Sequence, residues 1–149
     1  KQCAFPLNMA KPEDIDLRQK LQERFAQFQT LNQHIEKLSE NIKNVDTQIA
    51  TISEVIANAE EVGGLEKGTE ILVPFNNGIF LKAKIEDNKK FHVNVGSNTT
   101  VTKDLDGVKD IMNKQKNELA EVRSKIAHNL QNMQANAMNL QKELQDTIN

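Results

Sequence analysis

From Pro12 to Val62 the apolar side chains recur in alternating steps of three and four: Leu17, Leu21, Phe28, Leu31, Ile35, Leu38, Ile42, Val45, Ile49, Ile52, Ile56 and Ala59. With a heptad opened at residue 14, twelve of the fourteen a and d positions through Ala59 are apolar, and Asp14 and Arg24 are the exceptions. A seam this narrow, held without an interior Gly or Pro, predicts a coiled-coil helix. A helix lying on a globular core would show a broader apolar stripe. Pro12 suits the first helical position, where its missing N–H has no intrahelical partner, and Glu13 and Asp14 complement the positive end of the helix dipole. Gly63 and Gly64 then stop the helix.

Between Glu70 and Val101 the period changes from helical to alternating. Ile71-Leu72-Val73-Pro74-Phe75 leads into Asn76-Asn77-Gly78, a strong hairpin signal because Asn and Gly tolerate the positive φ of a tight turn. Ile79, Leu81, Ala83 and Ile85 then alternate with Lys82 and Lys84, which predicts one buried face and one wet face. After the polar turn 86–90, Phe91, Val93 and Val95 alternate with His92 and Asn94, and Gly96-Ser97-Asn98 turns the chain again before Thr99 to Thr102. The region 63–102 therefore reads as four short strands in two hairpins. So small a sheet is marginal alone, and its edges and apolar face are natural assembly surfaces.

A second heptad helix is expected over 103–149, with Asp104 and Asp106 in its first turn and a seam of Leu105, Val108, Met112, Gln115, Leu119, Val122 and Ile126. Two four-residue steps through Ile126 to Leu130 make a stutter, which locally unwinds a coiled coil, before Met133, Ala137, Leu140 and Leu144 resume it. The helices 12–62 and 103–149 span roughly 75 and 70 Å at ~1.5 Å per residue. Lengths so nearly equal, on either side of a compact insert, predict an antiparallel hairpin with Ile56 beside Ile111 and Met112 and Phe28 beside Leu140. The fold class is thus mainly α with small β: a long antiparallel coiled-coil hairpin carrying a two-hairpin β-insert, preceded by a loose tail over 1–11.

Composition agrees with a thin seam. The chain of 149 residues has no Trp or Tyr, six Phe and 38% apolar residues, against 27% charged. The formal net charge is −2 and no stretch is strongly basic, which speaks against a nucleic-acid partner. The single cysteine, Cys3, cannot form an internal disulfide. No apolar run approaches the ~20 residues of a membrane span, and the first residues lack the apolar run of a signal peptide, so no membrane partner and a cytoplasmic location are expected. His34, His92 and His128 are scattered, no metal or cofactor is called for, and no phosphate loop or nucleophile motif suggests an enzyme.

The β-insert resembles the α-class subunits of prefoldin. The resemblance rests on Glu70-Ile71-Leu72-Val73-Pro74, Gly78, Phe80-Leu81-Lys82-Ala83-Lys84, Glu86-Asp87 and Val93-Asn94-Val95-Gly96, in that order between two heptad helices. It covers nearly the whole chain from about Asp14. Where the family usually continues with a second Gly and aromatic residues, this chain has Ser97-Asn98-Thr99-Thr100-Val101-Thr102. The resemblance implies a hetero-hexamer of two α-class and four β-class prefoldin subunits, an ATP-independent holdase that takes non-native proteins on its coiled-coil tips and delivers them to a group II chaperonin. Subunit assembly would then fall to Ile71, Leu72, Val73, Pro74, Phe75, Ile79, Phe80, Leu81, Phe91, Val93 and Val95. Client binding would fall to Leu17, Leu21, Phe25, Phe28, Met133, Met138, Leu140 and Leu144, with Phe5, Leu7 and Met9 adding to it. Phe25 and Met138 stand out because the seam does not need them, and Met suits promiscuous surfaces through its flexible, polarizable side chain.

Two other functions fit the same outline: a prefoldin-like scaffold subunit of another complex, and a coiled-coil arm that binds RNA. The second needs a basic stripe, and Lys11, Arg18, Lys20, Arg24 and Lys142 are offset by Glu13, Asp14, Asp16, Glu23, Glu143 and Asp146.

Overall fold

A computed structural model describes residues 11–149; the tail residues Cys3, Phe5, Leu7 and Met9 lie outside the described residues. The element order is α1 (Pro12–Gly63), β1 (Glu70–Asn76), β2 (Ile79–Lys84), β3 (Phe91–Gly96), β4 (Thr99–Lys103) and α2 (Leu105–Ile148). The chain divides into two compact units. The first pairs the α1 segment up to Lys43 with the α2 segment from Ser124; the second runs from Asn44 to Arg123 and holds the remainder of both helices and all four strands.

In the first unit the helix segments are antiparallel, since Arg24 bonds Glu143 and Leu17 and Leu21 share a groove with Leu144 and Thr147. Its buried residues are Ala137, Leu140 and Leu144, all at the expected seam spacing. Leu31 and Gln27 line one groove with Leu140, the neighbourhood foreseen for Phe28.

The second unit is antiparallel as well. Asp46 meets Arg123 and Glu60 meets Lys109, which brackets the level where Ile56 was expected to face Ile111 and Met112. Val45, Ala59, Ile85 and Val108 are buried there. At the helix ends the approach is close at Gly63, where a Cβ would stand 3.3 Å from Leu105 Cδ2. The last turn of α1 is closed by Gly64 N–H, donating to the Glu60 and Glu61 carbonyls, and Leu65 N–H, donating to that of Val62, while the Asn88 amide donates to the carbonyl oxygens of Gly63 (3.4 Å) and, just past the helix, Leu65.

The strands form two separate antiparallel hairpins, β1 with β2 and β3 with β4. Both turns use positive φ, at Asn77 (47°) and Gly78 (81°) in the first and Ser97 (51°) and Asn98 (59°) in the second. Each hairpin carries a register irregularity beside its turn, between Pro74 and Asn76 and between Asn94 and Gly96. Pro74 cannot donate to the ladder, and a bulge is a place where a strand tolerates that loss.

Two details differ from the sequence reading. Strand β4 extends through Lys103, and Asp104 does not sit in the first turn of α2 but caps it, its Oδ1 accepting from Gly107 N at 2.8 Å. Ile85 lies past the end of β2; its backbone closes the insert against Thr69 (3.0 Å) and Gly68 (2.7 Å) while its side chain is buried.

Candidate functional site

In an antiparallel pair, directly opposed residues share a face. On β1–β2 the register sets Ile71 against Ala83 and Val73 against Leu81 on one face, with Leu72 against Lys82 and Pro74 against Phe80 on the other. Both faces are therefore apolar toward the turn. The single chain covers neither: Phe75 is 69% exposed, Leu72 nearly as open, and Ile79, Phe80 and Leu81 are each more than half exposed. The expected buried face is covered only away from the turn, where Ile71 and Ala83 are partly covered and Ile85 is buried; toward the turn it lies open.

Hairpin β3–β4 is built differently. Phe91, Val93 and Val101 share one face, and Phe91 and Val93 are partly covered while Val95 is half exposed. The opposite face is polar, with His92 against Thr102 and Asn94 against Thr100, and the Thr102 hydroxyl lies 3.4 Å from His92 Nδ1. One hairpin thus offers apolar surface on two sides and the other on one.

The expected client residues fall into three kinds in the helical unit. Met138 (71% exposed), Phe25 and Leu17 lie open, whereas Phe28, Leu21 and Met133 are partly covered. Leu140 and Leu144 are buried, Leu144 at 6% exposure, and would meet another molecule only if the seam opened. Ile15 and Ile148 are also open, which the heptad reading did not single out. Phe25 and Met138 fall off the seam in sequence, and that is why they remain uncovered.

Two grooves run between the helices of this unit. One, of about 590 Å³, is lined by Arg24, Gln27, Leu31, His34, Asn136 and Leu140 among others. The other, of about 320 Å³, is lined by Leu17, Lys20, Leu21, Leu144, Asp146 and Thr147. Arg24 and Glu143 line both.

Ionic contacts fix the helix register on the exposed flanks. Arg123 Nε and Nη2 donate to Asp46 Oδ1 and Oδ2 at 2.5 and 3.3 Å, a two-point contact that holds the Asp46 carboxyl below the usual carboxylate range and raises Arg123. Glu60 pairs with Lys109 at 2.8 Å and raises its ammonium. In the turn before β3, the Lys89 backbone N–H donates to Asp87 at 2.9 Å and lowers that carboxyl. These are positioning contacts. Among the described residues no group of three His, Cys, Asp or Glu side chains could hold a metal ion, and no helix is long and apolar enough to cross a membrane.

Comparison with known proteins bears on what such an arrangement is. A cryo-EM structure of filamentous PFD from Methanocaldococcus jannaschii superposes with a TM-score of 0.71 over 78% of this chain and 96% of that one; at 22% identity this is a likeness of fold. Prefoldin subunit alpha of Thermofilum pendens is 38% identical over 101 residues, covering 67% of this chain and 78% of that protein. Prefoldin subunit alpha of Methanococcus aeolicus is 26% identical over 132 residues, covering 89% and 90%. The probable prefoldin subunit 5 of Drosophila melanogaster is 25% identical over 131 residues, covering 83% and 74%. The family model described as Prefoldin subunit matches residues 17–149, which takes in α1 from Leu17 onward, all four strands and α2, and the chain belongs to the prefoldin family.

Proposed function

We propose that this chain is an α-class subunit of a cytoplasmic, ATP-independent holdase: a hetero-hexamer of two α-class and four β-class subunits that captures non-native proteins and passes them to a group II chaperonin. The observation that carries the reading is the uneven exposure of apolar side chains. Most of the large ones that stand open lie at two places, the turn end of β1–β2 and the flanks of the helical unit, in a chain whose relatives are prefoldin α subunits.

The two places suit two tasks. Phe75, Phe80, Leu81 and Leu72 cluster on a short hydrogen-bonded hairpin, a contiguous apolar surface of the kind that a fixed partner covers. Met138, Phe25 and Leu17 project from a helix pair with a thin seam and little buried bulk, where side chains can adjust to varied clients. Binding non-native chains needs apolar contact and no chemistry, so no nucleotide is required for the capture step. Purifying the chain with a β-class partner and following light scattering of a diluted, denatured protein tests the proposal. Suppression without nucleotide supports it, and aggregation at the control rate by a well-formed complex opposes it.

A further inference from the structure

The heptad asks for an apolar residue at position 24, between Leu21 and Phe28, and the chain has Arg24. Its guanidinium bonds Glu143, which adjoins the buried Leu144 and lies three residues after the buried Leu140. Arg24 and Glu143 are the two residues common to both grooves of the helical unit, so the pair is the partition between them. On one side lie Leu17, Leu21 and Leu144, and on the other Leu31 and Leu140. Lys20, which lines the second groove, is engaged by Asp16 of its own helix at 3.1 Å, whereas Arg24 spans the two helices.

We infer that the Arg24–Glu143 pair is a salt-sensitive strap between the two grooves of the helical unit, which together would receive a client segment beside the open Leu17. Closed, it divides the seam into two short grooves and keeps Leu140 and Leu144 covered. Open, it joins them into one longer apolar groove, flanked by a guanidinium on one helix and a carboxylate on the other, which suits an extended apolar segment bearing charges of either sign. Both side chains are about half exposed, so the strap is weak, and an apolar residue at position 24 would instead have locked the seam. This inference rests on the client-binding reading of the helical unit, and its test separates the two.

The test compares wild type, Glu143→Gln, and the exchanged pair Arg24→Glu with Glu143→Arg, each assembled with the β-class partner. Amide hydrogen exchange over residues 17–31 and 140–147 reads the strap without any client. Exchange there is expected to quicken roughly two- to five-fold in Glu143→Gln, the range for losing an exposed ion pair, and to return to the wild-type rate in the exchanged pair. Raising ionic strength from about 0.1 to about 1 M, which shortens the screening length from ~10 to ~3 Å, should quicken wild type and leave Glu143→Gln unchanged. Capture of reduced, denatured lysozyme should rise in the same order. Equal exchange in wild type and Glu143→Gln at both salt concentrations would overturn the strap. If exchange responds and capture does not, the strap stands as a structural device while its role at a client groove is overturned. If no variant captures the client at any salt concentration, it is the holdase reading that fails.

Discussion

Replacing Phe75 with Ser removes apolar surface that the single chain does not itself cover. Phe75 is 69% exposed beside the turn of β1–β2, so about a third of it is used by the chain's own fold. A Phe side chain contributes roughly 150–250 Å² of apolar surface, which leaves on the order of 100–170 Å² for a partner to cover. At ~25 cal/mol per Å² full coverage is worth roughly 2.5–4 kcal/mol. Interfaces convert area incompletely, yet a loss of even ~2 kcal/mol weakens subunit association about thirty-fold. The helices should hardly notice, because the lost side chain lies on the hairpin. Sedimentation velocity over a concentration series with the β-class partner reads the association midpoint, and far-UV circular dichroism reads the helices. The expected result is a midpoint moved at least ten-fold with helix content unchanged. An unmoved midpoint would refute the assignment of this hairpin to assembly, and lost helix content would show that Phe75 supports the fold of the chain itself.

Leu144→Ala acts inside the helical unit, where the side chain is 6% exposed; a thermal melt should report a loss near the lower end of the ~2–5 kcal/mol range for buried leucines, since the thin seam can partly collapse. Changing Phe25, Met133 and Met138 together to Ser should weaken client capture several-fold and leave assembly intact, as measured by light scattering and by size-exclusion profile. For pH, the Asp46 carboxyl is lowered in the folded state, so its contribution is fully present above the ordinary carboxylate value and is lost as pH falls through the lower folded value. Acid titrations of wild type and Asp46→Asn should accordingly start to approach each other as pH falls below about 4 and meet only below the lower folded value, with wild type the more stable above.

Much of the fold was legible because it rests on periodicity. Seven heptads without an interior Gly or Pro specify α1 and the Asn-Gly turn the first hairpin, while the stuttered seam and the Gly96-Ser97-Asn98 turn specify α2 and the second hairpin. Asp104 was harder to read, since an acid two residues before Asp106 can be either a cap or a first-turn charge until the end of β4 is known. Ile85 carried on the alternation of β2 in sequence but turns out to be an anchor beyond the strand, a consequence of backbone bonds to Thr69 and Gly68 that no residue pattern announces. Exposure was the least legible property. Leu17 and Val122 occupy seam positions and remain nearly half open, because coverage depends on what the opposite helix presents at that level. The Arg24–Glu143 contact was likewise visible only as two charges more than a hundred residues apart.

The proposed function has this chain, once assembled, holding non-native proteins through apolar contact alone. The direct measurement is aggregation of a diluted, denatured protein, followed by light scattering in nucleotide-free buffer, with and without the chain co-assembled with a β-class partner. Suppression is expected from the intact complex, and it should weaken several-fold in the Phe25, Met133 and Met138 triple variant. Aggregation at the control rate in the presence of an intact complex would contradict it, and would identify the chain as a subunit that keeps the prefoldin architecture for scaffolding rather than for client capture.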